Sequence, residues 1–475
     1  MSRHGKERSA HPLRENIEVA IFAVVMAMGL KVFAVEAYQI PTGSMQPALM
    51  GTVLLDTVTR RESGGLHDRV LVDKVSYWFR EPERWEVIVF RYPLVTHVNY
   101  VKRMVGMPAE QLLIQNGDLF ARPLGSDEDF KILRKPWRVQ QNLWKRVLPP
   151  PNTDAAAWVG WNQTGALRRA EPGGILLDGA AQIAYETRIK DEPEHGYPDA
   201  IAHRVPTMNA RSAHTVSDLR YAFDVVPRGP KGALNAVFEF GAQVATLTIE
   251  PGGAISVDTP GFRATQPLAL ADGQSLACDV AFWDHTLRVS IESAGAAVVS
   301  WTVGLDLESK PAPRNGMRFA TDAGGWEIGP VTAWRDIHYL PPRQSAAPVF
   351  DIAPGHYFML GDNTQSSLDS RDWLAEVIRF DPPRNGISEL RGDKMSNGPD
   401  STFNNPRNNQ SGETMTFRDQ HGGLHALSME QFRAGGSEQI EAAPLVPREY
   451  ILGRALAVFL PIRPFSPVNR FGLVH

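Results

Sequence analysis

The chain has 475 residues, enough for two or more domains. Its 43% hydrophobic and 21% charged content excludes a disordered chain, and a net charge of -4 excludes a global basic field of the kind that recruits nucleic acid. The single cysteine, Cys278, excludes an intramolecular disulfide, and its neighbours Leu276 and Val280 predict a small core residue.

Residues 1–16 carry Arg3, Lys6, Arg8 and Arg14 against Glu7 and Glu15, and a largely apolar run follows from Ile17 to Ile40. That run approaches the ~20 residues needed to span a bilayer. With the basic flank ahead of it, the pattern predicts a cytoplasmic tail over 1–16 and a single-pass anchor over 17–38, with the rest of the chain outside. Two readings compete. Lys31 interrupts the run, as in a buried core helix, and a cleaved secretory signal would need a better exit site than Val35, Glu36 and Ala37.

Just beyond the run lies Ile40, Pro41, Thr42, Gly43, Ser44, Met45, Gln46, Pro47, Ala48, Leu49. Gly43 permits an unusual backbone angle before Ser44, and the two prolines stiffen both sides. A rigid loop holding a hydroxyl and an amide suits acyl transfer, although most serines are solvated loop residues.

The pattern then turns to strands, over residues 70–75, 86–90 and 98–105, with Asn116 and Gly117 as a hairpin turn. Alternation puts Lys102 on the face of Val98, Tyr100 and Met104, with Arg103 on the other. Burial lowers a lysine's pKa, and a neutral amine can take a proton from a serine. Arg103 cannot, because it stays protonated. The bland alternative is a snorkelling surface lysine, and Lys74, beside Val70 and Val72, is a rival base.

Residues 126–345 begin Pro/Gly-rich and pass from about 215 into short alternating strands. Leu219, Tyr221, Phe223 and Val225 share one face, as do Ala245, Leu247 and Ile249, and Leu287, Val289 and Ile291. That texture predicts a β-sandwich. Residues 361–371 read as a polar turn in which Asp362 and Asn363 bond the backbone, while Ser367, Asp369 and Arg371 alternate and can form a buried cluster. The alternatives there are an Asp-rich surface turn or a calcium loop, though the EF-hand spacing is absent. Residues 376–445 read as a polar loop or partly disordered insert, and residues 451–460 as a buried strand. The thirteen histidines are scattered, with neither helical His pairs nor a Walker-type glycine loop, so no metal or cofactor is expected.

Taken in this order, the run at 17–38, residues 41–49, residues 100–108, residues 361–371 and residues 453–455 resemble bacterial type I signal peptidases. The resemblance covers roughly residues 15–125, 346–375 and 446–475. It implies a mainly β chain: an antiparallel β catalytic fold behind the anchor, built from 39–125, 346–375 and 446–475. The sandwich would then be an insertion over 126–345, and 376–445 a polar insert. It implies a membrane-bound serine endopeptidase of the bacterial inner membrane, acting outside the cytoplasm. Its partners would be preproteins carrying signal peptides, the lipid bilayer and the protein-export machinery. Ser44 would be the nucleophile and Lys102 the base, with the Ser44 amide and Thr42 hydroxyl holding the oxyanion and Ser367 orienting Lys102. Asp362, Asn363, Asp369 and Arg371 would support them, and Tyr38, Ile40, Pro41, Met45, Leu49, Tyr100 and Val101 would line the substrate pockets.

Pro47-Ala48 and Gly106-Met-Pro-Ala-Glu110 depart from the family pattern without removing a catalytic group. The segment from Met317 to Tyr339 resembles the closing strands of a concanavalin-like lectin; with no catalytic constellation of its own, the insert is expected to bind glycan or protein, the alternative being a spacer that lifts or shields the active site. Two rivals are a membrane-tethered glycan- or protein-binding receptor on a dead peptidase scaffold and a self-cleaving Ser/Lys protease of the repressor type.

Overall fold

The computed structural model describes residues 12–29, 34–55, 62–149, 158–170, 173–192, 212–343, 349–384, 386–394, 405–409, 411–460 and 470–474. One sheet is built from both halves of the chain. In order it runs Val35–Gln39, Arg69–Asp73, Ile451–Leu460, Val87–Tyr92, Val95–Gly106, His356–Leu360 and Val446–Pro447, with Gly472–Leu473 also paired to Ile451–Leu460. Every pairing is antiparallel. Ile451–Leu460 is thus a central strand, wedged between two strands of the first hundred residues.

The expected span of 17–38 is shorter at its far end. The helix runs Pro12–Gly29, and Val35–Gln39 is an edge strand, with Tyr38 opposite Val70 and Val35 opposite Asp73. Tyr38 packs on the core of Ile40, Val70 and Val72, and that ladder and packing decide strand over helix. The helix leaves Ile17, Val19, Phe22 and Val25 exposed. Among the described residues no helix is long and apolar enough to cross a membrane. Arg14, Glu15 and Glu18 lie in its first turns, while residues 1–11 and 30–33, with Lys31, lie outside the described residues.

The hairpin at Asn116 and Gly117 is present. Both have positive φ, 53° and 99°, and they join Glu110–Gln115 to Asp118–Pro123 with Gln115 opposite Asp118. Two consecutive positive-φ residues are what a two-residue turn matching strand twist demands.

Strands between Lys145 and Arg335 form a separate fourteen-stranded sheet. The predicted faces hold: Leu219, Tyr221, Phe223, Val225, Ala245, Leu247, Ile249, Leu287, Val289 and Ile291 are all buried in one core, together with Cys278. The sheet folds back on itself. Phe240 stacks on Phe282 with ring centroids 5.1 Å apart, and Tyr221 lies 5.6 Å from Phe238, although several strands separate their partners in sheet order. The chain leading into and out of this sheet belongs to the other body. Lys131–Ile132 pairs with Asp118–Pro123, and Val139, Leu143, Ile337 and Tyr339 share a core with Trp85, Val105 and Phe358.

Where a loop or partly disordered insert was expected over 376–445, the described residues form strands; residues 385, 395–404 and 410 lie outside the described residues. Leu374–Arg384 sits between Ile387–Asp393 and Gly436–Ala442, and Arg407–Asn408, Thr414–Arg418 and Leu424–Ser428 make a second small sheet. The few apolar residues alternate. Ala375 and Val377 pack with Trp373 in the core of Ile88 and Phe90, while Ile378 and Phe380 form a small core with Leu390, Met415 and Phe417. Arg379 pairs with Glu441 on the neighbouring strand, and Arg391 reaches the same carboxylate from the strand on the other side of Leu374–Arg384. Low apolar content read as disorder because alternation, rather than quantity, supplies the buried face.

Candidate active site

Ser44 lies in a single turn, Gly43–Met45, which a close-packed layer holds from beneath. Ile40, Met45 and Leu49 are buried in the core formed with Val70, Val72, Val87 and Val89. Of the predicted pocket residues, these three form the floor of the loop. Tyr38, Tyr100 and Val101 are half-buried and Pro41 is exposed. Tyr100 stacks on Tyr92 with centroids 4.5 Å apart.

Lys102 reaches the loop from the strand Val95–Gly106. Its Nζ lies 2.5 Å from Ser44 Oγ. The side chain is buried, and that burial pushes the ammonium down to about 8. Asp369 and Asp362 pull the other way, while Arg371 adds to the depression. Roughly a tenth of the amine is therefore neutral near pH 7, far more than for a free lysine, as a general base requires. Lys74 is no rival: it pairs with Glu36 at 3.2 Å on the edge of the sheet. Thr42 Oγ1 lies 3.5 Å from Ser44 Oγ, on the exposed side of the loop.

The polar segment 361–371 is the counterpart wall, and all four predicted support residues are in it. Asn363 donates its backbone N–H to Ser44 O at 3.0 Å and its Nδ2 to Gly43 O at 3.0 Å, so it fixes the Gly43 and Ser44 carbonyls. Arg371 grips Asp369 through Nε and Nη2, each at 2.7 Å, and Asp369 Oδ2 also accepts the Gly361 N–H at 2.9 Å. Burial pushes the Asp369 carboxyl up, but Arg371 and the Gly361 amide more than offset it and hold it below its usual range. A second fork binds Asp362 to Arg103, at 2.8 Å for both prongs. Both pairs are fully buried.

The predicted hydrogen bond from Ser367 to Lys102 is corrected. Ser367 Oγ is buried and makes no hydrogen bond to the described protein. It lies against Gly361, where an added Cβ would sit 2.1 Å from Ser367 Oγ and 2.6 Å from Ser44 O. Gly361 is therefore required for close approach, which seats Ser367 beside the Ser44 backbone.

Sequence reasoning missed three groups. Arg103 is the partner of Asp362, which long separation conceals. Arg470 Nη2 donates to Asp68 Oδ2 at 2.8 Å and to Ala48 O at 2.9 Å, clamping the end of the Ser44 loop from far along the chain. Lys145 is a second buried lysine, pushed down to about 7 by burial and then by Arg335, with Nζ 3.4 Å from Asp362 O. None carried a local signal, since each depends on a contact more than two hundred residues away.

Residues 13–130 and 325–382 match the family model described as signal peptidase, peptidase S26. Ser44, Lys102 and the wall 361–371 all fall within the matched residues. Over these two segments the chain is similar to the signal peptidase S26 family. The chain is similar to Signal peptidase I of Pseudomonas aeruginosa, 34% identical over 137 residues, which is 25% of this chain and 43% of that protein. It is similar to Signal peptidase I of Mycobacterium tuberculosis, 39% identical over 88 residues, covering 18% and 26%. It is also similar to the probable signal peptidase I-2 of Synechocystis, 29% identical over 115 residues, covering 23% and 46%. The chain spans about half the length of the curated relatives it matches first. Among solved structures, peanut lectin with a 9mer peptide aligns at 11% identity over 38% of this chain and 94% of that one. The TM-score is 0.26, too low to carry an argument.

Proposed function

We propose that the chain is a membrane-associated serine endopeptidase that removes signal peptides from exported preproteins. The observation that carries this reading is the 2.5 Å approach of Lys102 Nζ to Ser44 Oγ inside a buried site. Neutral Lys102 takes the Ser44 proton as Oγ attacks the scissile carbonyl, and the acyl-enzyme forms as the ammonium returns that proton to the departing amine. The Ser44 N–H and the Thr42 hydroxyl hold the oxyanion. Ser367 Oγ, buried and without a protein partner, supports a role in receiving the new Lys102 ammonium. Asn363, Asp362, Asp369, Arg371 and Arg103 keep the wall from shifting, and Tyr38, Pro41, Tyr100 and Val101 bound the exposed side where small substrate residues would seat.

The exposed apolar side chains of Pro12–Gly29, Phe22 at 68% among them, support attachment to the lipid bilayer by this helix, with the site on the extracytoplasmic side. The strands from Lys145 to Arg335 are read as an inserted domain with a core of its own. Incubating the detergent-solubilised chain with a preprotein and mapping the cut by mass spectrometry tests the activity. A cut at the end of the signal peptide that needs Ser44 is the expected result. An intact preprotein would return the receptor reading to favour.

A further inference from the structure

Asp191, His214 and His338 bring one carboxylate and two imidazoles together, with their ligand atoms all within 4.8 Å of one another. They come from three places in the chain. Asp191 and His214 face each other across a short ladder: Asp191 N donates to His214 O at 3.0 Å, and the Lys190–Thr215 bridge lies alongside. His338 follows the last strand of the large sheet, and its ring stacks on His214 with centroids 5.3 Å apart.

The carboxylate is already oriented, as a ligand's outer partners should make it. Asp191 is buried. Its Oδ2 accepts from Gln365 Nε2 at 2.7 Å and its Oδ1 from the His214 N–H at 2.5 Å. Thr364 Oγ1 donates to His338 O at 2.8 Å. Both tethers come from the wall that holds Ser44.

We propose that Asp191, His214 and His338 form a binding site for a divalent transition cation of the zinc class, at the seam between the inserted sheet and the catalytic wall. Two imidazoles and one carboxylate are a three-ligand set that leaves a fourth, solvent position. Zinc bonds of ~2.0–2.1 Å place tetrahedral ligand atoms about 3.4 Å apart, so ligand atoms now within 4.8 Å must close by up to about 1.4 Å. His214 is half-exposed, its side chain 47% accessible, and its Nδ1 already lies 3.6 Å from Asp191 Oδ2, so rotation of one surface ring supplies the contraction. A surface His–Asp ion pair would explain those two residues but not the third ligand stacked against them. Bound metal would join residues 191, 214 and 338 into one crosslink and brace the wall through Gln365 and Thr364.

The test uses the full chain, stripped with chelator in detergent. Zn2+ binding is followed by calorimetry, and Co2+ is added as a spectroscopic probe. We expect a single tight equivalent of Zn2+, visible ligand-field bands with Co2+, and affinity weaker by ~10-fold or more in both His214→Ala and Asp191→Asn. The first variant alters a half-exposed side chain, and the second keeps the shape that Gln365 grips. Wild-type chain that takes up no Zn2+, or variants that bind it as tightly as wild type, would overturn the proposal. Neither residue belongs to the Ser44 and Lys102 machinery, so the outcome is independent of whether the chain is a peptidase.

Discussion

Lys102 and Arg103 are adjacent on one strand and have opposite electrostatic fates. Arg103 is forked onto Asp362 with both nitrogens at 2.8 Å, and it stays charged in the core because its charge is matched. Lys102 faces the other way, onto Ser44, and burial drives its ammonium down to about 8. A strand's alternation thus places a fixed cation behind the site and a titratable amine within it.

Ser44→Ala and Lys102→Ala should each abolish preprotein cleavage while circular dichroism stays unchanged. The double variant should be no worse than either single one, because the two groups act as a unit. Lys74→Ala should retain near-wild-type turnover, since its amine is engaged with Glu36. A dead Lys74 variant with an active Lys102→Ala would reverse the assignment of the base.

Turnover should climb with pH through about 8, as Lys102 loses its proton. From about pH 7 to about pH 9 the neutral fraction goes from roughly a tenth to roughly nine-tenths. A pH–rate profile of kcat/KM checks this, and a limb near 6 abolished by a histidine substitution would point to a different base.

The same depression makes Lys102 a stability liability. Its folded pKa lies below the ~10.4 of the unfolded chain, so the unfolded state binds more protons between those values and stability rises with pH across that window. The penalty is fully present below about pH 8. Lys102→Met should therefore be inactive yet more stable at pH 7, by up to ~3 kcal/mol, with the gain shrinking from about pH 8 upward and nearly gone by about pH 10. Denaturant melts at pH 7 and pH 10 measure it, and an inactive variant with lower stability at pH 7 would contradict the argument.

Thr42→Val should lower kcat by roughly 10²-fold with little change in folding, the usual consequence of losing one oxyanion donor. Thr42→Ser should restore most of the rate. A wild-type rate in Thr42→Val would confine the oxyanion to backbone amides.

Asp369→Asn should cost about 3–5 kcal/mol of stability, because it leaves the Arg371 guanidinium buried without its counter-charge. Gly361→Ala should be inactive for a different reason: its Cβ would meet both Ser367 Oγ and Ser44 O. Chemical denaturation separates the two cases, since only the first is expected to show a loss of that size.

The turn at Ser44, the strand face of Lys102 and the alternation of Ser367, Asp369 and Arg371 were legible in the sequence because they are local patterns whose geometry follows from spacing, whereas the choice among their possible roles rested on the family resemblance. The strand faces of the large sheet were legible for the same reason, since period two survives in any sheet that buries one face. Tertiary structure alone decided what those patterns meet. It turned Val35–Gln39 into an edge strand by offering Arg69–Asp73 as a ladder, and it built small sheets from residues 376–445 by giving each alternate face its own core. It left Ser367 without the lysine as a partner and gave Asp362 to Arg103, 259 residues away in sequence. It also gathered Asp191, His214 and His338, which share no helical spacing, at one seam. Long-range pairs leave no periodic trace because nothing in local backbone geometry couples them. They form only when the folded chain has already met the entropy of closing those loops.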